Sequence, residues 1–98
     1  MMFKYLLSIF QPKHIRLNNK AYKLCQKGRF NEAVILYKKS LEIENESITY
    51  YNLGTVYAEL EMIDDEINAY ENAIKLGLNK YYLSLMSGLL ILLRSAAS

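Results

Sequence analysis

Few residues of this chain are equipped for covalent or metal chemistry, and their spacing keeps them apart. His14 is the only histidine and Cys25 the only cysteine among 98 residues. A general base needs a reacting group within hydrogen-bond reach, and a nucleophilic thiol needs a base or a cationic setting that lowers its pKa. His14 falls at the start of a predicted helix and reads as a surface or capping residue. Cys25 has only Lys27 near it and reads as an inert helix residue. A single cysteine excludes an internal disulfide framework and any multi-cysteine zinc site. Asp64, Asp65 and Glu66 are consecutive, so in a first helical turn they diverge and complement the helix dipole instead of converging on a cation. Gly28, Gly54, Gly77 and Gly88 are too dispersed for a phosphate loop. The expectation is a protein that is not an enzyme, with no cofactor, no metal and no small-molecule substrate, in a reducing, cytoplasmic setting.

Charge is the more informative chemistry. Residues 1–40 hold nine lysines and arginines against Glu32 alone, whereas residues 41–98 hold nine carboxylates against Lys75, Lys80 and Arg94. Such asymmetry bears on partners or self-association more than on fold. Lys13, Arg16, Lys20, Lys23 and Lys27 advance by three and four, which makes them one stripe along a helix. No platform of aromatic and basic residues and no groove-reading motif accompanies the stripe, so nucleic acid is not the expected partner.

The elements that carry these residues follow from periodicity. With 52% apolar residues, one proline and four glycines, the composition is that of one globular domain. Leu17, Ala21 and Leu24, then Phe30, Ala33, Val34, Tyr37 and Leu41, recur at helical steps. Gly28 and Gly77 supply left-handed helix stops, and Ser47 and Asp64 are the expected N-caps. Helices are predicted near 14–27, 30–43, 47–60, 63–76 and 80–94, with a short one near 2–10 and no strands. Met1–Phe10 lacks a small-residue cleavage pattern and is expected to stay in the mature chain. Tyr81–Leu93, the most apolar run, falls short of the roughly 18–20 residues that span a bilayer. It is apolar nearly all round, and Leu85, Leu89 and Leu92 on it are the expected surface for self-association or partner docking.

The chain also repeats itself. At a spacing of 33, Ala21 pairs with Gly54, Leu24 with Tyr57, Phe30 with Ile63, Tyr37 with Tyr70, Ser40 with Ala73 and Leu41 with Ile74. Small matches small and large matches large. These residues resemble the tetratricopeptide repeat, a helix-turn-helix unit of about 34 residues. Leu17 and Tyr50 stand where the family favours tryptophan, Glu66 where it expects alanine, and Asn45 and Leu78 where a proline often closes the unit. The resemblance implies an all-α fold of antiparallel helix-turn-helix repeats stacked as a short right-handed α-solenoid. Repeats are expected near 14–46 and 47–79, with a partial repeat or capping helix over 80–94 in a domain of residues 13–98. Residues 1–12 would form a separate apolar helical segment.

The function the resemblance implies is protein–protein interaction, as an adaptor or assembly scaffold. In the family, outward side chains of helix A line a groove for a peptide or partner helix. Carried over, these are Ile15, Asn18, Tyr22, Cys25 and Gln26 in the first repeat and Ile48, Tyr51, Asn52, Thr55 and Glu59 in the second. A variety of the repeat grips a terminal carboxylate with lysine, asparagine and arginine. Only Asn52 matches that pattern here, with Asn18 where lysine and Tyr22 where asparagine would stand, so that ligand is not expected. The basic stripe reads first as the polar cap of a solenoid end. The alternative reading joins it to the apolar N-terminal segment as a peripheral anchor on an anionic membrane surface.

Overall fold

The structure, a computed structural model, describes residues 11–78. Four helices follow one another: α1 Lys13–Gln26, α2 Phe30–Ile43, α3 Ser47–Glu59 and α4 Ile63–Lys75. Each boundary lies within one residue of its predicted place, and no strand occurs among the described residues. The helices predicted over 2–10 and 80–94, and with them Leu85, Leu89 and Leu92, lie outside the described residues. The chain divides into two compact units between Asn45 and Glu46. Each is a helix-turn-helix hairpin, α1 packed on α2 and α3 packed on α4.

In the first hairpin Ala21, Ala33, Tyr37 and Ser40 are fully withdrawn from water. Ala21 and Ala33 are small enough to let the helices close, and Tyr37 fills the space between them. Burying a ring of that size contributes about 1.5–3 kcal/mol. The hydroxyl of Ser40 donates to the carbonyl of His14 at 3.0 Å, tying the last turns of α2 to the first turn of α1.

The second hairpin takes the same plan one step further. Gly54 replaces Ala21, and the ring of Tyr70 occupies the space a side chain would need: a Cβ at position 54 would sit 2.6 Å from Cδ1 and 3.1 Å from Cζ of that ring. Tyr50, Tyr51, Ile74 and Leu78 pack against the resulting core of Tyr70 and Ala73. Glu66, in the place of Ala33, is buried in the first turn of α4, where the positive end of the helix dipole favours a carboxylate.

Three helix ends share one closure. After α1, Gly28 adopts φ +74°, its N–H donates to Cys25 O at 2.9 Å, and the N–H of Arg29 donates to Leu24 O at 2.9 Å. This double bond pattern with a left-handed residue is the Schellman motif. Gly77 and Leu78 repeat it after α4, with bonds to Ile74 O and Ala73 O at 3.0 Å each. After α3 the left-handed residue is Glu61, at φ 59°, and the N–H groups of Glu61 and Met62 donate to Ala58 O and Tyr57 O. Glu61 lies 33 residues after Gly28, so the turn is copied without its glycine.

The N-caps differ from those predicted. Ser47 is the first residue inside α3, which Glu46 caps, and Asp64 is the second residue inside α4, which Met62 caps. For Asp64 the tight turn is the reason. Met62 closes α3 with its N–H while its carbonyl already accepts from Glu66 N at 2.9 Å, so no residue is left over for a separate cap. Arg29 plays the same double part between α1 and α2, its carbonyl accepting from Ala33 N at 3.1 Å.

Candidate functional site

The helix A face of each hairpin is set by what its opposite face buries. On α1, Ala21 points into the core, with Asn18 and Cys25 within about 60° of it around the helix and Ile15, Tyr22 and Gln26 at about 100–140°. Tyr22 and Gln26 are exposed, and Ile15, Asn18 and Cys25 are half-buried. At 57% exposure, Tyr22 presents most of an aromatic ring to solvent. The phenol of Tyr37 and the thiol of Cys25 lie close enough to influence each other's ionisation. Burial is the main reason both groups resist ionisation, and it pushes the Cys25 thiol up and the Tyr37 phenol well above the usual tyrosine range. Cys25 is thereby kept as a protonated thiol, the opposite of what a nucleophile needs.

On α3, Leu53, Gly54, Val56 and Tyr57 are buried. Ile48 and Glu59 are exposed, while Tyr51, Asn52 and Thr55 are half-buried. The ring of Tyr51 lies 5.9 Å from that of Tyr70 at a 36° tilt, so one of its faces belongs to the core. The hydroxyl of Thr55 donates to the carbonyl of Asn52 at 2.7 Å, which leaves its oxygen as an acceptor toward the surface. Each helix thus offers one large apolar group near half exposure or above, Tyr22 or Ile48, beside an amide, Asn18 or Asn52. An apolar anchor next to a group that hydrogen-bonds a backbone is chemistry suited to a peptide.

Lys13, Arg16, Lys20, Lys23 and Lys27 are all exposed. The residues 33 positions later behave differently: Thr49, Leu53 and Val56 are buried and Leu60 is half-buried. Sequence reasoning did not single out Ile35, which is 54% exposed. The available signal was its phase, about 200° around the helix from Ala33 and so off the core face. Arg29 pairs with Glu32 through two hydrogen-bonding nitrogens, Nε donating at 3.1 Å. Both side chains are about half exposed, and such a surface pair contributes a few tenths of a kcal/mol. Among the described residues no helix is long and apolar enough to cross a membrane.

The family model for the tetratricopeptide repeat matches residues 17–47 and 48–76, more than half of the chain and one match for each hairpin. No curated protein matches the chain.

Proposed function

The chain belongs to the tetratricopeptide-repeat family, whose units are non-catalytic protein-interaction modules, and from this we propose that it holds a peptide or helix of another protein against α1 and α3. The observation that carries the reading is the exposed pair Tyr22 and Ile48, large apolar residues at corresponding faces of the two helix A segments. Neither is used in its own hairpin core. Asn52 next to Ile48 supplies an amide that can meet an extended backbone, Asn18 next to Tyr22 is half-buried with its amide oxygen turned inward, and Gln26 and Glu59 form a polar rim. This is an adaptor's chemistry: contact area from the apolar groups, register from the Asn52 amide.

Selection of a random peptide library on the immobilised full chain tests the reading. Enriched peptides should bind the parent and lose about tenfold or more in affinity on Tyr22→Ser/Ile48→Ser, with the helical signal and melting of the variant unchanged. Peptides that bind the double variant as well as the parent would refute it. Co-sedimentation of the chain with anionic vesicles, dependent on residues 1–12, would favour the membrane-surface alternative, in which the exposed stripe from Lys13 to Lys27 faces the headgroups.

A further inference from the structure

An open cavity of about 380 Å³ lies on the first hairpin, away from the helix A face described above, lined by Lys20, Leu24, Arg29, Glu32, Ile35 and Leu36. Its floor is apolar; among its charged residues Arg29 and Glu32 pair with each other, so Lys20 gives the rim a net positive charge. No carboxylate occurs between Gln11 and Asn31, while Lys20 and Lys27 stand four residues before and three after Leu24 on α1. Counted 33 residues on, Lys20, Leu24 and Leu36 correspond to Leu53, Tyr57 and Ala69, and all three of those are buried. The same positions are therefore covered in the second hairpin and open in the first.

The second hairpin presents the complementary chemistry. Ile63 and Ile67, 43% and 36% exposed, follow each other by one turn on α4. Asp64 and Glu71, both exposed, fall within about 100° of Ile63 around the helix. Lys75 is the only cation between Glu46 and Leu78. The first hairpin carries an apolar depression flanked by lysines, and the second carries an apolar strip flanked by carboxylates.

We propose that copies of this chain associate head to tail, the basic face around the Leu24–Ile35 cavity receiving the acidic, apolar face of α4 from a second copy. The occupant is a second copy because this chain itself carries the matching charge and the matching exposed isoleucines. The two surfaces are different patches, so the contact is heterologous, and an assembly that does not close into a ring keeps one patch of each kind free to add another copy. Growth with concentration follows. The charges lie at the rim and in water, so the association weakens as the Debye length contracts with salt.

Light scattering after size exclusion, on the full chain, reads this directly. In about 20 mM salt the mean mass should rise with concentration, and in about 0.5 M it should fall back toward one copy. The reversal variants Lys20→Glu/Lys27→Glu and Asp64→Lys/Glu71→Lys should each associate at least about tenfold more weakly than the parent. Their equimolar mixture should regain association, since the reversed face of one variant meets the reversed face of the other, and the native face of one the native face of the other, in each case with opposite sign. If a reversal variant loses its helical signal, the milder Lys20→Gln and Glu71→Gln give the same ranking with a smaller shift. A parent that stays one copy at every concentration in low salt overturns the proposal. So does a folded variant that assembles like the parent, which would put the contact elsewhere, or a mixture no better than its components.

Discussion

Replacing Gly54 by alanine should destabilise the protein, although alanine is the better helix former. In an exposed helix interior the change gains about 1 kcal/mol, because glycine has more backbone freedom to lose. Position 54 is not such a site. The added Cβ would lie 2.6 Å from Cδ1 of Tyr70, where ordinary contact begins at 3.4 Å, so the ring must retreat by nearly an ångström. Tyr70 is buried at 3% exposure and is held on another side by the ring of Tyr51. Overpacking of this kind costs about 1–3 kcal/mol, about 2 at mid-range, so after the helix gain a net loss of about 1 kcal/mol remains. Urea unfolding followed by circular dichroism should show a lower midpoint at unchanged slope, and Tm should fall by roughly 4–8 °C for a domain this small. A cycle with Tyr70→Leu isolates the cause. The two losses should be less than additive by about 1 kcal/mol, because the clash disappears when the ring does. A Gly54→Ala variant as stable as the parent, or more stable, would show that the helices do not approach through this pair.

Two further outcomes follow from the same geometry. Glu61 holds φ 59° without a glycine's freedom, so Glu61→Gly should relieve backbone strain and raise stability by about 0.5–1 kcal/mol, read as a higher urea midpoint; an unchanged or lower midpoint would mean that the turn is not strained. The raised pKa of Tyr37, caused first by burial and then by Cys25 beside it, makes the folded state hold its proton longer than the unfolded state does. Its stabilising effect is therefore present in full below about pH 10, the unfolded tyrosine value, and is lost as pH climbs from there toward the folded one. Unfolding midpoints measured between about pH 8 and pH 11 should decline for the parent and decline less for Tyr37→Phe; equal slopes would exclude the Tyr37 phenol as the source.

Much of the fold was legible because packing repeats itself in residue size. Ala21 and Gly54, Tyr37 and Tyr70, and Ser40 and Ala73 mark the close approach of helix A and helix B in each hairpin, and size survives in a sequence without any coordinates. Helix ends were read well where a glycine marks the left-handed residue, at Gly28 and Gly77. The third end was assigned to the right place without its cause, since a glutamate at φ 59° carries no local signal. The cap expected at Ser47 falls one residue earlier, at Glu46, and nothing in the structure explains it; the cap expected at Asp64 falls at Met62, because a polar side chain near a helix start is evidence for a cap only if the preceding loop has a residue to spare. Arg29 and Met62 show that these turns have none. The surface was less legible than the core: the half-burial of Tyr51 and Thr55, and the exposure of Ile35, depend on neighbours from the other helix of the hairpin.

The comparison of the two hairpins separates what the fold requires from what it leaves free. At Ala21 and Gly54, Tyr37 and Tyr70, and Ser40 and Ala73, where the 33-residue register keeps residue size, the residues are buried in both copies, and a change is read in stability. Where the register breaks, burial breaks with it: Arg16, Lys20 and Lys23 are exposed, while Thr49, Leu53 and Val56 at the same places are buried. A run of five basic residues on a helix that could have continued the apolar pattern is not needed to form α1, whose core contact is made by Ala21 with Leu17 and Leu24 beside it. Those lysines keep the open face of the first hairpin wet, and they also fix the sign of whatever charge can approach it. A polar cap made for solubility alone would work with either sign or with a mixture. The single sign of this stripe, set against an acidic second hairpin, makes the face selective as well as soluble.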